Sequence, residues 1–167
     1  MREIRSAVEM SVRTRRAFLR PASSVWPLLC NSRMDSSANP LFRLGVPHPV
    51  ECRLPNGHGG VGSERECLSD QGVVHQRILA WSPEKHLSFR MEQTDLSFRR
   101  FVGDMVDTFD LVPTSTGVTV SRTTKVWVKG RLSFLKKWLL FLGVKQVHSY
   151  VFRNWQRLAL QTRISAS

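Results

Sequence analysis

The polar residues best placed for chemistry in this chain lie on strand-like runs. Gln76 shares its parity with Val74 and Ile78, so in a strand it faces an apolar interior. There a carboxamide either orients a ligand carbonyl or hydroxyl, or hydrogen-bonds to a neighbouring strand or helix, which is the commoner fate of a buried amide. Asp107 and Asp110 have opposite parity, so one of them faces inward in a regular strand. An inward Asp107, or Glu92 on the preceding strand, acts as a general base if burial raises its pKa. The competing reading is a surface ion pair with one of the many arginines.

Other site chemistries find no support in the spacing. His75 falls on the face opposite Gln76, with Arg77 and Trp81, and is expected on the outer sheet surface. His48, His58, His86 and His148 are dispersed over turns and the C-terminal helix, and none pairs with a carboxylate or cysteine at ligand spacing, so neither a metal site nor a cofactor is expected. Cys30, Cys52 and Cys67 are odd in number and lack CxxC spacing. That argues against a disulfide framework and for a reducing, cytoplasmic compartment. There is no GxSxG elbow and no Cys-His arrangement. The glycine-rich piece from Gly57 to Gly62 lacks both a GK[ST] ending and a following helix pattern, and reads as a hairpin turn.

The elements that must position these residues begin with a strand over Val8–Leu19, where Met10, Val12, Thr14 and Phe18 alternate with Ser11, Arg13, Arg15 and Leu19. Pro21 suits the first turn of a helix, and Val25, Trp26, Leu28 and Leu29 give it an apolar side. Pro27 removes a backbone donor, so the helix over Ala22–Cys30 is expected to be short or to start late. Asn31–Pro40 reads as a polar turn region, with Phe42, Leu44 and Val46 packing beneath it. Six further strands follow, over Val50–Leu54, Gly62–Leu68, Val73–Trp81, Leu87–Leu96, Asp104–Val112 and Val118–Lys129, separated by turn residues that imply an antiparallel meander.

The stretch from Gly130 to Ser167 carries two apolar helical stripes of different phase. Leu132, Leu135, Trp138, Leu139 and Leu142 form the first; Val147, Val151, Trp155 and Leu158, with Tyr150 close by, form the second. One straight helix cannot bury both, so a kink or break is expected at Gly143. A sheet with one apolar face needs a helix of this kind to cover it.

The formal charge is +12, from 25 Lys and Arg against 13 Asp and Glu. The arginines are scattered rather than clustered, and no aromatic platform lines a continuous basic groove, so nucleic acid is not an expected partner. No apolar run approaches the ~20 residues needed to span a bilayer. The arginine-rich N-terminal segment contains Glu3 and Glu9 and no apolar signal-peptide centre, and reads as mature protein. Phe134, Lys136, Lys137, Trp138 and Phe141 mix cations with large apolar groups, which suits either transient contact with an anionic membrane or aromatics packed on the sheet beside solvated lysines.

Strand, short helix, antiparallel meander and long C-terminal helix, in that order, are an α+β arrangement. The chain resembles the SRPBCC superfamily, the START-like and birch-allergen-like helix-grip proteins, and within it the polyketide cyclase/dehydrase-like and lipid-transport-like branch. The likeness rests on Arg20-Pro21-Ala22-Ser23-Ser24-Val25-Trp26-Pro27-Leu28-Leu29, on Ile78 to Phe89 across the middle hairpin, and on Phe109-Asp110-Leu111-Val112-Pro113 running to Gly117-Val118-Thr119-Val120. It spans nearly the whole of residues 1–167 as one domain. The resemblance implies a curved sheet wrapped around the helix and a ligand cavity between them, without a universal catalytic residue. Strand parity then gives an inward set of Gln76, Ile78, Phe89, Met91, Phe109, Leu111 and Val120, closed from the helix by Leu135 and Leu139 or by the Val147 and Val151 stripe. The expected function is binding or transport of a small hydrophobic or amphipathic molecule, with a cyclase or dehydratase using Asp107 or Glu92, and a basic membrane- or partner-binding module, as alternatives.

Overall fold

The computed structural model describes residues 8–34, 40–129 and 134–161. The readings made on 1–7, 35–39, 130–133 (including Leu132) and 162–167 lie outside the described residues. The chain runs β1 (Val8–Phe18), α1 (Ala22–Cys30), β2 (Ser32–Arg33), a 3-10 turn (Pro40–Leu44), β3 (Pro49–Arg53), β4 (Glu64–Ser69), β5 (Gly72–Ser82), β6 (His86–Thr94), a second 3-10 turn (Ser97–Arg100), β7 (Val102–Thr114), β8 (Gly117–Val128) and α2 (Phe134–Gln161). The strands form one antiparallel sheet in the order β1-β8-β7-β6-β5-β4-β3-β2. It curls around α2 as the helix-grip reading expects. Hairpins carry the chain from β3 to β8, and β1 pairs back onto β8 with Val12 opposite Thr124.

Inward residues at period two make the core. On β8 these are Val118, Val120, Thr124, Val126 and Val128, all buried, with Arg122 among them. Trp155 fills the centre from α2, its ring 5.6 Å from that of Phe109 and 5.9 Å from that of Phe152. Its indole Nε1 donates to Ser32 Oγ at 2.9 Å, which anchors the two-residue strand β2. That strand lies in a stretch whose polar composition reads as turn, because two residues are too few to show a period.

Four expectations need correction. The first concerns α1, which starts at Ala22 and runs nine residues despite Pro27. Burial of Val25, Trp26, Leu29 and Cys30 outweighs the single backbone bond that proline removes. Secondly, α2 continues unbroken through Gly143. The phase conflict in the sequence is real, but it is resolved by leaving the first stripe largely in solvent: Leu135, Trp138, Leu139 and Leu142 are all exposed, with Leu139 also reaching the cavity wall, while Val151 and Trp155 are buried. Thirdly, Trp81 turns inward and packs edge-on against Trp26 at 5.1 Å. The ladder between β5 and β6 slips between Ile78 and Ala80, so Leu79 is an extra residue and the parity beyond it reverses. Lastly, Phe42 and Val46 pack on the core whereas Leu44 is exposed.

Candidate functional site

Between α2 and the concave face of the sheet lies a cavity of about 290 Å³. Val74 and Met105 from the sheet, Val126 from β8 and Leu139, Leu140, Val144, Val147 and Val151 from α2 give it a largely apolar wall. The polar groups in that wall fall into two clusters, each built by strand register.

The first cluster centres on Arg65, which is buried on β4 and stands directly opposite Gln76 on β5. Its Nη1 donates to Gln76 Oε1 at 2.5 Å and to Cys67 Sγ at 2.8 Å, and its Nη2 donates to the Leu29 carbonyl of α1 at 3.0 Å. The guanidinium lies over the Phe89 ring, 4.3 Å from its centroid. Burial opposes its charge, but the neighbouring Cys67, Cys52 and Asp107 more than offset this and hold it protonated. Among the described residues, Arg65 Nε is the buried side-chain polar atom left without a hydrogen-bond partner. Such a group costs about 1–3 kcal/mol if nothing satisfies it.

The second cluster lies across the cavity on β7, β8 and α2. Arg122 Nε and Nη2 each donate to the Asp107 carboxylate at 3.0 Å, and the Thr124 hydroxyl donates to Asp107 Oδ1. Because Thr124 spends its only proton on Asp107, His148 Nε2, 2.7 Å from Thr124 Oγ1, must be the donor there. His148 Nδ1 is then the acceptor for Thr14 Oγ1 at 3.1 Å. Burial, helped by the charge of Arg122, lowers the His148 pKa to about 3, so the ring is neutral. Burial pushes Asp107 upward, yet Arg122 and Thr124 hold it below the usual carboxylate range.

No family model and no curated sequence matches this chain. Solved structures do. A Mesorhizobium loti protein is 20% identical, with 92% of this chain and 98% of that one aligned at a TM-score of 0.63. A START superfamily protein from Mycobacterium smegmatis is 11% identical over 92% and 98% of the two chains at 0.62. A major latex-like protein from Panax ginseng is 13% identical over 91% and 98% at 0.59. The fold is the helix-grip.

Within this helix-grip fold the expected site residues separate. Gln76 and Leu139 line the cavity, as do Val147 and Val151. Ile78, Phe89, Phe109, Leu111 and Val120 sit in the packed core instead, where aromatic stacking such as Phe89 on Phe109 at 5.9 Å fills the space. Met91 packs with Val102, Val126 and Val128 in a smaller cluster. Leu135 is 62% exposed on the outer side of α2 and does not close the cavity. Asp107 is the inward aspartate, but the general-base expectation fails on its lowered pKa, and its ion pair is buried rather than superficial. Asp110 lies outward beside His86 Nδ1 at 2.7 Å. Glu92 also points outward, to Arg77 at 2.8 Å.

Arg65, Cys52, Cys67, Arg122 and His148 carry no site signal in the sequence by themselves. A cross-strand argument finds Arg65: if Gln76 faces inward, its partner across the Ser69–Gly72 turn shares its face. The same reasoning from Asp107 leads to Thr124, its partner on β8. His148 sits one residue from Val147 on the edge of the second stripe, and the sheet's wrap covers that edge too. Among the described residues no group of three or more His, Cys, Asp or Glu could hold a metal, and no helix is long and apolar enough to cross a membrane.

Proposed function

We propose that this protein binds, and in one version carries, a small hydrophobic or amphipathic molecule in the cavity between sheet and α2, with an oxygen acceptor of that molecule meeting Arg65 Nε. The observation that carries the reading is the unpartnered, buried Nε of Arg65, a residue of the largely apolar cavity wall. Apolar burial supplies roughly 25 cal/mol per Å² before association costs, and the single donor sets orientation. The volume of about 290 Å³ lies just below the ~300–1,000 Å³ range of ligand pockets, so the ligand is one of modest size. The fold shared with a START superfamily protein and a latex-like protein supports a cavity-binding role. Three reduced thiols suit a cytoplasm.

Native mass spectrometry of freshly purified protein, followed by solvent extraction, is the direct test. A defined adduct released on denaturation is expected. Displacement of anilinonaphthalene sulfonate by dodecanoate and by its methyl ester checks the head-group contact. Equal, undetectable displacement by both, together with a clean apo mass, would overturn the reading.

A second element of the reading is exchange of the ligand at an anionic membrane surface. Phe134 and Trp138 are 85% and 52% exposed, and the same helical segment reaches the cavity wall at Leu139 and Leu140. Lys136 lies 6.0 Å from the centroid of exposed Phe101, next to Arg99 and Arg100, so the apolar face has a basic rim. Apolar area framed by cations suits insertion among anionic headgroups.

A further inference from the structure

Cys52 and Cys67 are register partners on β3 and β4, with both side chains on the concave face of the sheet and both in the cavity wall. Directly opposed residues of an antiparallel pair bring their Cβ atoms to about 4.5–5.5 Å, close to the separation a disulfide requires. Cys52 is buried, and Cys67 beside it is partly so. Cys67 Sγ also receives Arg65 Nη1 at 2.8 Å and lies 3.6 Å from Gln76 Oε1.

We propose that Cys52 and Cys67 form a reversible thiol–disulfide couple in the cavity wall, oxidised by exchange with a low-molecular-weight disulfide that enters the cavity. The electrostatics favour a reactive thiolate. The neighbouring Cys67 thiol, opposed by burial and assisted by Arg65 and Arg122, lowers the Cys52 pKa to about 6, while the Cys67 pKa is raised. Cys30 is set apart: it is buried in the core, and burial pushes its thiol up to about 11.

The exchange balances in two steps. The Cys52 thiolate attacks one sulfur of the small disulfide, expelling one thiolate and leaving a mixed disulfide on Cys52. Cys67 then attacks Cys52 Sγ, passes its proton to the expelled thiolate, and releases the second small thiolate, which takes its proton from solvent. Two protein thiols are oxidised and one disulfide is reduced to two thiols. The sheet can accommodate the closure, because β3 has only the two-residue strand β2 on the side away from β4 among the described residues, and its ladder to β4 slips between Pro49 and Glu51.

The couple is tested on the intact chain without any cavity ligand. Reduced protein is equilibrated with mixtures of glutathione and glutathione disulfide, quenched in acid, labelled with N-ethylmaleimide in denaturant, and weighed. The wild type and Cys30→Ser are expected to lose both Cys52 and Cys67 labels together, as a monomer that dithiothreitol restores. Cys67→Ser is expected to stop at a glutathione adduct on Cys52, and Cys52→Ser to lose the intramolecular product. Retention of all three labels in the wild type would overturn the proposal. So would stable glutathione adducts on the wild type as abundant as those on Cys67→Ser, or loss of the oxidised product in Cys30→Ser.

Discussion

Arg65 stands across the β4–β5 ladder from Gln76, and one guanidinium joins that ladder to the last turn of α1 through the Leu29 carbonyl. The fork geometry lets Nη1 and Nη2 serve the protein while Nε is left without a partner. Lysine cannot reproduce this, since its ammonium is a point donor on a flexible stem.

Arg65→Lys is therefore expected to lower stability by about 1–3 kcal/mol, as buried acceptors lose their partners. It is also expected to weaken dodecanoate binding by roughly tenfold, the equivalent of about 1.4 kcal/mol. Urea denaturation and dye displacement measure the two effects separately. Unchanged affinity in a folded Arg65→Lys protein would remove Arg65 from the ligand contact.

The Asp107–Arg122 pair gives a sharper stability effect. Asp107→Asn leaves the Arg122 charge uncompensated beside the core, and breaking a buried pair from one side costs about 3–5 kcal/mol. Replacing both residues with apolar ones should cost less than the sum of the single changes, a coupling that a double-mutant cycle in urea reads directly. Additive effects would show that the pair is not energetically linked.

How much of this was legible in the sequence follows from periodicity. Period-two alternation located every strand of five or more residues to within a few positions, and Gln76 was recognisably inward because Val74 and Ile78 flank it. Trp81 was misplaced because a one-residue slip at Leu79 reverses parity without leaving a mark in composition. The phase change in α2 was visible, but the sequence does not say whether a helix bends to bury a stripe or leaves it exposed. The cavity wall was the least legible feature: Phe89, Phe109 and Val120 share the inward parity of Gln76, and only the three-dimensional divergence of sheet and helix separates packed core from lining.

Stability should fall with acid well above the range where carboxylates titrate. His148 has a folded pKa near 3 against about 6.5 in an unfolded chain, so between these values the unfolded state binds a proton that the folded state excludes. Its contribution is complete above pH 6.5 and declines by up to roughly 1.4 kcal/mol per pH unit toward pH 3. Asp107 also has a lowered pKa, so its contribution is lost only below the unfolded carboxylate value of about 3.9. Urea midpoints from pH 7 to 4 should thus drop for the wild type and drop less for His148→Gln. Parallel curves would mean that the ring does take up a proton in the folded state.

The glycine-rich loop before β4 has a packing role that can be isolated. A Cβ at Gly59 would lie 2.0 Å from the Trp81 ring, so Gly59→Ala must displace the indole from its edge-on contact with Trp26. Overpacking of this kind costs about 1–3 kcal/mol. Gly60→Ala meets only Ser63 Oγ at 3.8 Å and serves as the control. A lower melting temperature with altered tryptophan emission in the first variant, and neither change in the second, is the expected result.

The exposed face of α2 makes opposite predictions for folding and for membrane contact. Phe134 is 85% exposed and Trp138 52%, so Phe134→Ser combined with Trp138→Ser should cost well under the about 3–5 kcal/mol that truncating one fully buried aromatic does. If that face inserts among lipids, the same variant loses apolar area at the interface and should pellet far less with phosphatidylserine vesicles. Salt should weaken the wild-type interaction, because the basic rim contributes through a screened attraction. A large stability loss would instead assign the two aromatics to the fold, and wild-type protein that fails to pellet at low salt would exclude the membrane step while leaving the cavity reading to its own test.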